Sequence, residues 1–387
     1  MVYLIAMFGD FLLMRAFDAK IGTAAAEGRR IMKERFLTQD IALIAEAKND
    51  GYHQGVLLPL LIEETGDLAE LSREVGFAPI GMEANSKLYI CNEGHGPLKI
   101  TTDRFGYNNL DSSWDTQGNK LAIIGDSFAF GMCQPNSKTI AGYLGDQYDT
   151  LNLSFPGANA VHYAAMLKTF GPKIGADKAV MIFYSNDNMP IKYAQLYYDL
   201  FFGPHADPSG YFDDSVAMAL APSHKKFYEI AQARVLAERQ ATRYSGTGFL
   251  ARNLRRSKKV LSHYNFPGVQ AVVHSYRRTL EDATDSINLA VKTLKNHCVA
   301  EACTPLILYI PNSQFWDPDT RSPDFSRLVA EVSGEYGIPI IDLTSELELL
   351  GREKAYADAG IHLSEVGYAV VADAVINFFE NDNAALD

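Results

Sequence analysis

From Lys120 onward the chain alternates short apolar runs with longer stretches in which apolar residues recur every three or four positions. The runs are Leu121–Ile124, Leu151–Ser154, Ala179–Tyr184, Pro305–Ile310 and Ile338–Asp342. The stretches between and after them read as helices near Ser137–Tyr148, Ala158–Phe170, Tyr276–His297, Phe325–Tyr336 and Ser364–Glu380. Such alternation predicts βαβ units and a parallel sheet. The runs are apolar nearly throughout rather than at every second residue, so both sheet faces must be covered. A three-layer α/β/α sandwich is the predicted core, over residues 120–387. The interval from Met189 to about Val273 breaks this rhythm with an aromatic cluster, Tyr193 through Phe212, followed by a basic stretch. It reads as an insertion, 189–273, after the third strand.

Upstream the pattern differs. Residues 1–76 read as a helical N-terminal region, interrupted at Asp50-Gly51, Pro59 and Gly66. Its first residues, MVYLIAMFGDFLLM, are apolar but carry Asp10 and fall short of the roughly 20 residues that a spanning helix wants. They also lack a basic start and a small-residue cleavage site. The run is therefore read either as a buried helix or as the surviving end of a membrane anchor. Residues 77–119 form a lead-in rich in glycine and proline, with β-type pieces at Leu88–Cys91 and Leu98–Thr102.

Composition narrows the function classes. A formal charge of -12 leaves no general basic face for phosphate contacts, so nucleic acid is not an expected partner. One segment, 224–259, is locally basic, with ten lysines and arginines from Lys225 to Lys259 against Glu229 and Glu238. It is either a solvated helical face or a surface for an anionic lipid or acidic polysaccharide. Cys91, Cys133, Cys298 and Cys303 include no C-x-x-C pair, so no metal site is expected. Free buried thiols and disulfides both remain open. In an exported protein Cys91 with Cys133 and Cys298 with Cys303 would be the natural pairs, but four cysteines allow three connectivities. The glycine-rich phosphate cradles G-x-x-x-x-G-K-[ST] and G-x-G-x-x-G are absent, and no cofactor is expected.

In open α/β sheets ligands bind beyond the carboxyl ends of the strands, so the residues just after each strand carry the functional information. The first strand runs into Gly125-Asp126-Ser127, where a serine on a tight turn either caps a helix or presents a nucleophile. The second is followed by Pro156-Gly157, whose N–H is a candidate oxyanion donor or simply part of a turn. The third ends in Ser185-Asn186-Asp187, where the Asn186 amide is a second candidate donor. Near the C-terminus His362 follows Asp358, an acid and an imidazole in the order that base-plus-orienter chemistry needs.

Gly125-Asp126-Ser127, Gly157, Asn186-Asp187 and Asp358 with His362 together resemble the blocks of the SGNH (GDSL-like) hydrolases. The resemblance covers about Lys120 to Phe379 apart from the insertion. It implies a flavodoxin-like fold and ester hydrolysis through an acyl-enzyme on Ser127, with His362 as base. It also implies an oxyanion hole from the Ser127 and Gly157 N–H groups and the Asn186 side chain, with Asp126 and Asp187 in support. Cys91-Asn-Glu-Gly94 and Asp103-Arg-Phe-Gly106-Tyr-Asn-Asn109 are similar to the lead-in of a bacterial, extracytoplasmic subgroup that is often membrane-anchored. That implies a periplasmic or cell-surface setting and membrane association through the N-terminus; the charge of segment 224–259 makes it a second candidate for membrane contact, and an ester-bearing small molecule or acylated carbohydrate is the expected substrate. Two positions depart from the pattern. Ser185 stands where the family often has glycine, and Ala359 stands where it usually has the aspartate three residues before its histidine. Asp358, four residues before His362, is therefore the expected orienter; a Ser-His dyad and a degenerate site are the alternatives. An O-acyltransferase acting on a polysaccharide and a non-catalytic binding module in envelope assembly are the rival functions.

Overall fold

The computed structural model describes residues 2–16, 46, 48–55, 66–75, 78–91, 93, 98–116, 118–204, 206, 226–227, 229–230, 233, 268–269, 283–313, 322–358 and 360–384. In chain order the strands are β1 (His53–Gln54), β2 (Lys87–Tyr89), β3 (Lys99–Thr101), β4 (Lys120–Ile124), β5 (Asp149–Asn152), β6 (Lys178–Tyr184), β7 (Thr304–Ile310) and β8 (Ile340–Asp342). The helices used below are α1 (Val2–Ala16), α2 (Ser127–Phe130), α3 (Ile140–Leu144), α4 (Ala160–Ile174), α5 (Gln195–Phe202), α6 (Thr284–Glu301), α7 (Ser322–Glu335), α8 (Thr344–Leu350) and α9 (Glu365–Ala384).

β4 to β8 form one sheet in the order β5-β4-β6-β7-β8, with every pair parallel. This is the flavodoxin-like order, in which the strand sequence reverses beside β4 and opens a crevice at its carboxyl end. Successive strand residues point to opposite faces and enter two separate cores. In β6, Ala179, Met181 and Phe183 pack under α4, α6 and α7, whereas Val180, Ile182 and Tyr184 pack under α3, α8 and α9. The apolar runs of the sequence thus reflect burial on both faces. β5 ends at Asn152, two residues before the predicted end, because Asn152 Oδ1 accepts the Ser154 N–H (2.9 Å) and turns the chain away. The predicted helix Ser137–Tyr148 is a 3₁₀ turn followed by the short α3, capped by the Thr139 hydroxyl.

In a second, three-stranded sheet, β1-β2-β3, strand β1 of the N-terminal region joins the two strands of the lead-in. The lead-in residues Met82, Leu88, Leu98 and Ile100 pack with Phe130 of α2, which seats the lead-in beside the start of the main domain. Asp103 organises the connection: its carboxylate accepts the Phe105 and Tyr107 N–H groups, the Asn109 amide and the Trp114 indole N–H. Asn109 also exchanges two hydrogen bonds with the backbone of Asn152 on the edge strand β5. β1 lies within the N-terminal segment whose sequence pattern predicts helix.

Of the expected insertion, the structure describes Met189 to Pro204 and a few residues beyond. Tyr197 and Phe201 of α5 are buried against α4, and the Tyr197 hydroxyl donates to Pro79 O (2.7 Å). These aromatics are core. Tyr211, Phe212 and nearly all of the basic segment 224–259 lie outside the described residues. Among the described residues no helix is long and apolar enough to cross a membrane. In α1, Asp10 is buried and its carboxylate accepts the Val269 N–H (2.8 Å).

Candidate active site

Ser127 opens α2 immediately beyond the carboxyl end of β4. Asp126 is the N-cap residue: its Oδ1 accepts the Phe128 N–H (2.8 Å), fixing the turn that presents Ser127. Gly125 precedes it, and a Cβ there would lie 2.4 Å from the Ala129 methyl and 3.0 Å from Ile182 O, so only glycine allows strand and helix to approach this closely. Asn152 ties the same helix to β5 by donating from Nδ2 to Ala129 O (2.9 Å).

His362 reaches Ser127 from a small hairpin that precedes α9. The hairpin is closed by Ala357 N–H to His362 O (2.8 Å), Ser364 N–H to Ala355 O (2.9 Å) and a Tyr356–Leu363 bridge. The His362 Nε2 lies 2.9 Å from Ser127 Oγ. The imidazole packs on the Phe128 ring (centroids 4.9 Å), which in turn stacks on Tyr184 (3.6 Å). Rotation of the imidazole is therefore restricted from one side by two buried aromatics.

The acid on His362 is Glu93. Its Oε1 sits 2.8 Å from Nδ1, and its Oε2 accepts the His362 backbone N–H at 3.3 Å. All three residues are less than a tenth exposed. A carboxylate accepting from Nδ1–H leaves Nε2 free to accept the serine proton, which is the tautomer a general base requires.

Asp358 does not take this position, and the expectation that it orients His362 is corrected. Pairing of Ala357 with His362 puts residue 358 in the reversal of the hairpin, where it is exposed and contributes charge beside Arg352. Gly360, in the same reversal, makes room for the substitute. A Cβ at Gly360 would fall 1.8 Å from Glu93 Cδ, so the carboxylate occupies the space a side chain would need.

The remaining candidates sit along the same sheet edge. Gly157, after β5, has φ +84°, the left-handed conformation that favours glycine, and Asn186 follows β6, half-buried. Asp187 is fully buried beneath them, its Oδ2 accepting the Tyr163 hydroxyl and the Tyr184 N–H, both at 2.8 Å. Asp126 and Asp187 are electrostatic neighbours. Burial, and then the charge of Asp126, push the Asp187 carboxyl well above the usual carboxylate range. Burial lifts Asp126 to about 6, against the opposing pull of the Phe128 N–H and His362. Both shifts favour the neutral acid, as expected where two carboxyls are buried side by side.

Both cysteine pairs are disulfides, Cys91–Cys133 and Cys298–Cys303. Glu93, Cys133 and His362 bring three potential metal donors within 4.8 Å of one another, but the Cys133 sulfur is committed to Cys91. Only the carboxylate and the imidazole remain, too few for a metal centre.

Sequence reasoning missed Glu93, although it stands within the Cys91–Gly94 block that carries part of the resemblance. The legible signal was the cysteine pairing. Cys91 bonded to Cys133 places a carboxylate two residues from one end of the bridge within reach of a serine six residues from the other.

No family model and no curated protein sequence matches this chain. Among solved structures, the crystal structure of the lipase/acylhydrolase from Enterococcus faecalis is similar over 68% of this chain and 97% of that one, with 11% identity and a TM-score of 0.36.

Proposed function

We propose that this chain is a serine esterase of the SGNH hydrolase type, working through an acyl-enzyme on Ser127. One observation carries the reading: an unbroken hydrogen-bonded chain from Ser127 Oγ through His362 to the Glu93 carboxylate, 2.9 Å and 2.8 Å long in its two links, at the carboxyl edge of a parallel sheet. His362 Nε2 takes the Ser127 proton as Oγ attacks the ester carbonyl. The imidazolium so formed is stabilised by Glu93 and returns the proton to the leaving alkoxide, and water then repeats the sequence on the acyl-enzyme. The Ser127 and Gly157 N–H groups and the Asn186 amide are assigned to the oxyanion that develops in each half-reaction.

The missing acid was the feature that favoured a non-catalytic binding module, and Glu93 fills that role. Two disulfides support an oxidising, extracytoplasmic setting. The reading is tested by treating the protein with a fluorophosphonate and mapping the adduct. Labelling at Ser127 that is lost in Ser127→Ala and His362→Ala is expected; no labelling of the folded protein would overturn the assignment. Comparing acetate release with acetyl transfer to an added oligosaccharide separates hydrolase from acyltransferase.

A further inference from the structure

Glu93 does not belong to the sheet that carries Ser127. It stands in the connection of the β2–β3 hairpin, which is closed at its base by Ile90 N–H to Leu98 O (3.1 Å) and Leu98 N–H to Cys91 O (2.8 Å). The acid must nevertheless be held to within a few tenths of an ångström of His362. Among the described residues few side chains do this. The hairpin shares a small apolar cluster with Phe130, and the described contacts of the Glu93 carboxylate are with His362 and the space above Gly360.

The firm connection is covalent. Cys91, two residues before Glu93, is bonded to Cys133 across a sequence separation of 42. Cys133 belongs to the turn that closes α2, in which the Met132 N–H donates to Ser127 O (2.9 Å). The disulfide thus joins the acid's hairpin directly to the nucleophile's turn. Through the main chain, the same two groups are separated by β3, the Asp103 loop and all of β4.

We propose that the Cys91–Cys133 disulfide is a positioning element that holds Glu93 on His362, and that a dithiol reductant loosens the acid from the imidazole. This rests on the esterase reading. Reduction delivers two electrons and two protons to the Cys91 and Cys133 sulfurs, and the dithiol leaves as its own disulfide. Met82, Leu88, Leu98 and Ile100 still pack against Phe130, so the fold survives while the acid's position loosens. Misplacing a catalytic group by about 1 Å costs on the order of 10²-fold in rate.

The test uses a Cys298→Ser/Cys303→Ser background, which removes the other disulfide, at the opposite edge of the sheet where α6 meets the start of β7. On it, kcat and KM for p-nitrophenyl acetate are measured with and without Cys91→Ser/Cys133→Ser, and again with Glu93→Gln added. The expected result is a fall in kcat of about 10²-fold with KM within about twofold, and no further fall when Glu93 is already Gln, because the lost function is the same. An unchanged kcat, or an equal loss on the Glu93→Gln background, overturns the proposal.

A second measurement is independent of activity. The downfield proton resonance of His362 Nδ1–H, identified by its loss in Glu93→Gln, should disappear in the Cys91→Ser/Cys133→Ser protein. It should also disappear in the background protein reduced with dithiothreitol while folded, which serves if the double variant does not fold. Its persistence after reduction overturns the tether. An inactive parent that shows the resonance refutes the esterase reading alone.

Discussion

Replacing Glu93 with Gln tests the site at its least expected residue. The carboxylate accepts two hydrogen bonds, from Nδ1 at 2.8 Å and from the His362 backbone N–H at 3.3 Å. An amide has one oxygen for both. If that oxygen serves the backbone N–H, the NH₂ faces Nδ1, which must then accept, and the proton moves to Nε2, where it confronts Ser127 Oγ. The base is then in the wrong tautomer. If the oxygen serves Nδ1, the NH₂ opposes the backbone N–H, and the imidazolium forms with no negative charge beside it. Loss of the orienting charge and tautomer costs around 10⁴-fold in kcat in triads of this kind, about 5 kcal/mol of transition-state stabilisation. The substitution changes neither volume nor burial, so Glu93→Gln should remain folded. The assay is kcat for p-nitrophenyl acetate beside the rate of fluorophosphonate labelling, with Asp358→Ala as its counterpart. Asp358 lies on the exposed side of the hairpin, so Asp358→Ala should stay within about twofold of the parent. Full activity in Glu93→Gln together with a collapse in Asp358→Ala would refute the assignment.

Three further outcomes are expected. Asn186→Ala should lose about 10²- to 10³-fold in kcat with little change in melting temperature, as for removal of one oxyanion donor, and kinetics on a folded variant checks it. Gly360→Ala puts a methyl 1.8 Å from Glu93 Cδ, so the acid must move and kcat should fall by about 10²-fold or more, whereas an alanine tolerated at full rate would mean that Glu93 is not needed there. The carboxyls of Asp126 and Asp187 stand above their ordinary value of 3.8, so the folded protein binds more protons than the unfolded chain; these groups favour the fold at acidic pH, and stability falls as pH rises from about 4 through about 6 for Asp126, with Asp187 acting in the same direction. Asp187→Asn mimics the protonated acid, so its melting temperature should decline less than the parent's between mildly acidic and mildly alkaline pH.

The main sheet was legible because its strands are buried on both faces. An apolar run without period, such as Ala179–Tyr184, arises where every side chain of a strand is covered, and parallel order constrains where the carboxyl ends must meet. Ser127 and His362 are legible on the same grounds, each following an element whose direction the alternation sets. The structure brings their side chains to 2.9 Å.

Boundaries were less legible where one side-chain hydrogen bond decides them, as at Asn152, whose side-chain carbonyl oxygen captures the Ser154 N–H and ends β5 early. The acid was not legible by local reasoning at all. Spacing along the chain favours Asp358, four residues before His362, but a hairpin between residues 357 and 362 turns that side chain outward and leaves Gly360 as a gap. Which carboxylate fills a gap depends on what is nearby in space. Glu93 comes from a separate small sheet, brought in by a disulfide and a few apolar contacts that no periodicity encodes. Local patterning determined the α/β core and the places of Ser127 and His362 along it, because each depends on the direction of the neighbouring element. Tertiary structure decided which carboxylate meets His362, because that depends on a contact between residues 269 positions apart, beside a disulfide that joins residues 42 apart.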